Sequence, residues 1–146
     1  MLDQMTAMVR DNDICVLATA SGDRPHCSLM AYVADDRGQR LYLATPGDSR
    51  KFENLGKNPA VSLLIDDRAK QAREKTRALT VSGTCIALED GTERDAAAAR
   101  LRSSHPQLAS LLQQPGVEIL CVNVESFLLL DGVSEAHFLE VDSSMG

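Results

Sequence analysis

The residues whose types and spacing point to chemistry lie between Leu41 and Lys51. Leu41-Tyr42-Leu43-Ala44-Thr45 reads as a strand, Pro46-Gly47-Asp48 as a turn, and Ser49-Arg50-Lys51 as the opening of a short helix. The first turn of a helix offers backbone N–H groups without partners and the positive end of the helix dipole. Ser49 adds a hydroxyl, Arg50 a planar fork of donors, and Lys51 a point charge. Together these suit a phosphate group. Two cations in a first turn oppose the dipole by roughly 0.3–1 kcal/mol each. That mismatch hints at an anionic ligand, and it is equally met in a solvated surface pair.

Other chemistry finds less support. Cys15, Cys27, Cys85 and Cys121 are far apart in sequence and sit in apolar, strand-like stretches, so they read as reduced core residues. No metal-ligand spacing, Ser-His-Asp arrangement or Gly-rich dinucleotide fingerprint is present. His26 follows a turn Pro and reads as structural or exposed, and His105 before Pro106 reads as a helix-entry residue. His137, near the C-terminus, is a minor candidate for an acid, a base or a haem ligand. Tyr32 and Tyr42 read as core or rim packing.

The elements that must position Thr45 to Lys51 follow from periodicity. Leu2, Met5, Met8 and Val9 recur at helical spacing. Ile14 to Ala20, His26 to Ala34 and Arg40 to Thr45 read as strands joined by polar turns, which predicts an antiparallel meander. Phe52 and Leu55 suggest a short helix from about Ser49 to Leu55, capped by Asp48 or Ser49. Ala60 to Ile65 reads as a buried strand, and Asp66 to Arg77 as a solvated loop or exposed helical turn. Leu79, Val81 and Cys85 alternate with polar residues as in a half-buried strand. Thr92 and Asp95 resemble a capping box before the helix-rich Ala96 to Leu101. Pro106 opens a further helical stretch with Leu108, Leu111 and Leu112, and Val117 to Leu130 returns to strand. The tail from Asp142 is expected to fray.

The whole of 1–146 has the size of one domain, large enough to bury roughly 70% of its unfolded surface without disulfides or metals. Aromatics are 3% of residues and Trp is absent, so the core must be aliphatic. A formal net charge of −6 argues against nonspecific nucleic-acid or anionic-membrane binding. No apolar run suits a signal peptide or a membrane span, so a cytoplasmic location is expected. The element order predicts a mainly β fold with flanking helices: an antiparallel barrel whose helices plug an end or a gap.

Several stretches in order carry a resemblance. They are Val16-Leu17-Ala18-Thr19, Gly22-Asp23-Arg24-Pro25-His26, Leu41 to Thr45, Ser49-Arg50-Lys51, Asn54-Leu55, and Asn58-Pro59 leading into Val61-Ser62-Leu63. The chain thereby resembles the pyridoxamine 5′-phosphate oxidase-like flavin-binding split-barrel family over about Ile14 to Asp66. The resemblance implies a six-stranded split β-barrel of Greek-key type that forms a homodimer, with flavin mononucleotide (FMN) in the groove between subunits. It implies that Ser49, Arg50 and Lys51 hold the cofactor phosphate, with Thr45 beside the phosphate or ribityl chain. It also implies that Ser28, Leu29, Met30 and Ala31 run along the isoalloxazine ring.

The activity expected from the resemblance is an FMN-dependent oxidoreductase acting on a small molecule. A flavin-binding or electron-transfer module without turnover, and a haem protein on the same fold, stand beside it. Pyridoxamine 5′-phosphate oxidase activity itself is not expected. The C-terminal Arg-Leu motif of those enzymes has no counterpart in Phe138-Leu139-Glu140-Val141 and the tail, nor do their basic strand residues in Cys27 to Val33.

Overall fold

The computed structural model describes residues 1–141; the tail expected to fray from Asp142 lies outside the described residues. The helices are α1 (Leu2–Asp11), α2 (Arg50–Lys57), α3 (Thr92–Ser104) and α4 (Ala109–Leu112). The strands are β1 (Ile14–Ser21), β2 (Arg24–Ala31), β3 (Val33–Ala34), β4 (Arg40–Pro46), β5 (Ala60–Asp66), β6 (Arg77–Ala87), β7 (Val117–Asp131) and β8 (Glu135–Glu140). Every pairing among them is antiparallel, and the order across the sheet is β2-β1-β5-β6-β7-β4-β3, with β8 also on β7. The sheet is an antiparallel half-barrel with flanking helices, as the element order predicts.

The predicted three-strand meander is corrected. β1 and β2 form one hairpin and β3 and β4 another, but β4 pairs along β7 while β1 continues to β5. The single strand expected over His26 to Ala34 breaks at Tyr32. That residue is buried; its hydroxyl donates to the Val9 carbonyl at 2.7 Å, and its N–H donates to Asp13 at 2.9 Å. Its backbone is thus taken out of the ladder and tied to α1 and the segment that follows it.

β4 explains why the strand belongs deep in the sheet. Leu41, Leu43 and Thr45 point one way and Tyr42 and Ala44 the other, and all five are buried. A strand covered on both faces reads as an unbroken apolar run. Leu41 and Leu43 join the main core with Leu17, Leu63, Ile65, Leu79, Val81 and Phe127, and Met5, Met8 and Val9 of α1 close it. Tyr42 and Ala44 join a second core under α3, with Ile119, Cys121, Ala97 and Leu101. Each such Leu, fully buried, contributes about 1.5–3 kcal/mol.

Gly83 marks an irregularity. The β6–β7 register shifts between Ser82 and Gly83, and a Cβ at Gly83 would lie 2.2 Å from the Asn123 carbonyl oxygen. Only glycine lets the two backbones approach that closely.

Four smaller expectations change. Thr92 does not cap α3: Gly91 occupies the cap position with no side-chain bond, and Thr92 is already helical. The Asp66 to Arg77 segment carries a short 3₁₀ turn at Arg73–Lys75, but it is not wholly solvated. Asp67 is buried and accepts from the Arg77 backbone N–H at 2.6 Å and from Arg77 Nε at 2.9 Å. Cys15, Cys85 and Cys121 are buried as expected, whereas Cys27 is exposed because it lies on the outward face of β2. β8, not expected from sequence, pairs with β7 from Ser126–Glu140 to Asp131–Glu135. No described helix is long and apolar enough to cross a membrane.

Candidate functional site

β4 delivers Thr45 to the end of the core, and the chain turns through Pro46, Gly47 and Asp48 into α2. The turn is pinned by Gly47 N–H donating to the Gly116 carbonyl at 2.9 Å and Ser49 N–H to Pro46 at 3.2 Å. Ser49 is the N-cap of α2, with extended backbone, and its Oγ accepts from the Phe52 N–H at 3.2 Å. Glu53 N–H donates to the Ser49 carbonyl at 3.1 Å. The N–H groups of Arg50 and Lys51 are therefore the ones left without an intrahelical acceptor.

The hydroxyls of Thr45 and Ser49 lie 2.8 Å apart. Thr45 is fully buried, and a buried O–H without an acceptor costs about 1–3 kcal/mol. Thr45 therefore donates to Ser49. Ser49 then accepts twice, from Thr45 and from Phe52, which uses both lone pairs of its oxygen. Its own proton remains to be donated away from the protein, beside the free N–H groups of Arg50 and Lys51. Among the described residues neither the Arg50 nor the Lys51 side chain has an ion-pair or hydrogen-bond partner. The arrangement is a set of donors and two cations without internal acceptors, which fits a phosphate.

α2 is fixed to the sheet by Asn54, a buried residue whose Nδ2 donates to Thr19 Oγ1 at 3.1 Å. Thr19 pairs with His26 across β1–β2, so His26 and Arg24 lie on the face toward α2, and with Pro25 they line a cleft that Arg50 and Asn54 share. His26 Nε2 lies 3.4 Å from Ser28 Oγ.

Ser28, Leu29, Met30 and Ala31 follow along β2, an edge of the sheet order. An edge strand presents backbone N–H and C=O groups that no neighbouring strand takes up. Ser28, Met30 and Ala31 are half-buried, and Leu29 is exposed and lines a separate cleft with Ile14, Val16 and Leu64. The structure thus gathers the eight candidates in two groups: Thr45, Ser49, Arg50 and Lys51 at the start of α2, and residues 28–31 on the β2 edge. Arg24 stands apart from both groups, on the wall of the cleft that Arg50 also lines. Its place in a tight turn, Gly22-Asp23-Arg24-Pro25, is the signal that marks it in the sequence.

The other titratable groups are structural. Burial pushes the Cys15 and Cys85 thiols up to about 12 and raises Cys121 as well, which keeps them protonated and unreactive. Burial, with a hydrogen bond to Glu93, raises the Tyr42 hydroxyl to about 12; that bond is 3.0 Å long. His105 is indeed at the entry to a helical turn, but it is also buried, and its Nε2 donates to the Tyr32 carbonyl at 3.0 Å. His137 Nε2 lies 3.6 Å from the Glu135 carboxylate on β8. Among the described residues no three His, Cys, Asp or Glu side chains come together as metal ligands.

Comparisons with known proteins agree on the fold. The family model described as pyridoxamine 5′-phosphate oxidase matches residues 1–131. No curated protein matches the chain. Among solved structures, a FAD-binding protein from Mesorhizobium loti superposes with a TM-score of 0.72 at 22% identity, covering 86% of this chain and 91% of that one. General Stress Protein 26 from Bacillus anthracis gives 0.71 at 21% identity, covering 96% and 98%. A heme binding protein from Mycobacterium smegmatis gives 0.79 at 17% identity, covering 93% of this chain and 57% of that one.

Proposed function

Since the chain belongs to the pyridoxamine 5′-phosphate oxidase family, we propose that it binds FMN at the start of α2 and along β2. We also propose that it acts as a cytoplasmic homodimer in the oxidoreduction of a small molecule. The observation that carries this reading is the 2.8 Å pairing of the Thr45 and Ser49 hydroxyls at the cap of α2, read with Thr45 as the donor. Buried Thr45 donates to Ser49, so the Ser49 proton is turned outward beside the unpaired cations of Arg50 and Lys51. These groups hold the phosphate. The open edge of β2 from Ser28 to Ala31 offers backbone partners to the pyrimidine side of the ring, with exposed Leu29 packing against it while Met30 turns to the core.

When bound, the flavin supplies the redox chemistry. The chain's own residues bind and orient it: Ser49 donates a proton to a hydrogen bond without losing it, and the cations balance the phosphate charge.

The second subunit is supported by an apolar row on the outer face of the sheet. Leu29, Val16, Leu64, Thr80, Leu128 and Phe138 stand side by side through successive strand pairings. Leu29 is 75% exposed, Leu64 41% and Phe138 63%. A row across six strands that is apolar except at Thr80, and exposed at Leu29, Leu64 and Phe138, is more than a monomer ordinarily leaves to water. It begins at Leu29, within the proposed ring site, so a second copy seated there would also cover the flavin.

Haem is the second reading, because the Mycobacterium smegmatis protein of this fold is described as heme binding. His105 is unsuited as an axial ligand, since its ring is buried and bonded to Tyr32. A histidine-ligated haem would use half-buried His26 or His137. Titration of the purified protein with FMN and with hemin, read by absorption, tests the two. Saturable binding of FMN alone supports the proposal. A hemin spectrum that is abolished by His26→Ala or His137→Ala, with no uptake of FMN, overturns it.

A further inference from the structure

Beyond the start of α2, the cleft between the β1–β2 turn and the helix has a volume of about 310 Å³. That is the size of a small ligand site. Arg24, His26 and Arg50 line it. Arg24 and Arg50 are exposed, and among the described residues neither side chain has an ionic partner. Glu53 is also on the wall, but its carboxylate is directed along the helix to Lys57, 3.7 Å away. The two walls are tied together, because Asn54 bonds Thr19 and Thr19 pairs with His26. A molecule of net charge −6 therefore holds two arginines and an imidazole around one cleft against a single acid, Glu53, which Lys57 pairs.

We propose that this cleft is a second phosphoryl subsite, adjoining the one at Ser49 and sharing Arg50 with it. The inference rests on the reading of Arg50 as a phosphate ligand. A guanidinium has five donors in a planar fork, so one edge can meet the first phosphoryl group while the other meets a second. Arg24 and His26 then hold the second group from the hairpin side. The chemistry recognised is a pair of neighbouring phosphoryl groups. The second belongs either to a flavin dinucleotide or to a separate phosphorylated molecule lying beside FMN.

Arg24 is exposed at the start of β2, so Arg24→Ala tests the subsite without removing a buried side chain. The probes are inorganic pyrophosphate on the flavin-free protein by calorimetry, FMN and FAD by flavin fluorescence, and inorganic phosphate on the FMN-loaded protein. Arg24→Ala is expected to weaken pyrophosphate binding about tenfold or more, to leave FMN affinity within about twofold, and to be partly rescued by Arg24→Lys. A parallel loss for FAD assigns the second phosphoryl group to the dinucleotide. Unchanged FAD affinity, with inorganic phosphate binding lost from the FMN-loaded variant, assigns it to a separate molecule. Pyrophosphate affinity unaltered by Arg24→Ala overturns the subsite. FMN failing to bind the wild type overturns the reading of Arg50 instead, and pyrophosphate then tests the Arg24 contact alone.

Discussion

Arg50 and Lys51 stand in the first turn of α2, where the helix dipole disfavours cations. Arg50→Ala and Lys51→Ala are each expected to weaken FMN binding about tenfold to a hundredfold, through loss of a charge-assisted contact. The melting temperature of the flavin-free protein should stay level or rise slightly. A loss of apo stability of several kcal/mol would show instead that the cations serve the fold. Ser49 separates the two roles more sharply. In Ser49→Asp the carboxylate still caps α2 and accepts from Phe52 N–H and Thr45 Oγ1. It also puts a negative charge at the proposed phosphate position. Thermal melts should show an intact fold, and fluorescence titration a loss of FMN affinity of about a hundredfold or more. Retained FMN binding would place the phosphate elsewhere. The hydroxyl, the cap and the cations were all legible in Thr45 to Lys51. The burial of Thr45, which turns the Ser49 proton outward, was not, because it depends on β7 packing along β4 far off in the chain.

At the scale of elements, the strand faces decide how stability responds to pH. Cys15 on β1 and Cys85 on β6 stay protonated in the folded state to about 12, against 9 as their ordinary value. A raised folded pKa means that the native state binds more protons than the unfolded chain once pH passes the unfolded value. Stability contributed by these thiols is complete below about pH 9 and falls as pH rises toward 12. Urea unfolding is expected to give a level ΔG from pH 7 to 8 and a clear fall by pH 10.5. The fall should be smaller in Cys15→Ala/Cys85→Ala; an identical fall in that variant would contradict the burial argument. Alternation of Leu79, Val81 and Cys85 was enough to foresee the face these residues occupy. The break at Tyr32 was hidden, because apolar character continues through Ala31, Tyr32 and Val33. What ends β2 is a long-range hydrogen bond from Tyr32 to Val9. β8 was hidden for the opposite reason: it lies over the partly exposed end of β7 and carries little alternation of its own. Thr92 looked like a cap by residue type, but the chain enters α3 one residue earlier, at Gly91, whose φ of 156° suits glycine.

At the scale of the molecule, the half-barrel exposes Leu29, Leu64 and Phe138 on its outer face, where the proposed second copy would sit. Leu64→Glu, in the middle of the row and away from Arg50 and Lys51, is expected to convert a dimer to a monomer with little loss of secondary structure. Light scattering on the wild type and variant reads this directly; a wild-type monomer with FMN bound would refute the dimer. The expectation of a mainly β half-barrel held because helices fall between strand runs rather than alternating with them. The meander failed because local turns say which strands are consecutive and not which are neighbours; β4 found β7 through shared burial on both faces. The central claim is recognition of a phosphate at the start of α2. Its most direct test compares FMN with riboflavin, which has the same ring and lacks the phosphate, by fluorescence quenching on one preparation. The account predicts that riboflavin binds about a hundredfold or more weakly than FMN, and that Arg50→Ala narrows the gap. Equal affinity for the two flavins would contradict it.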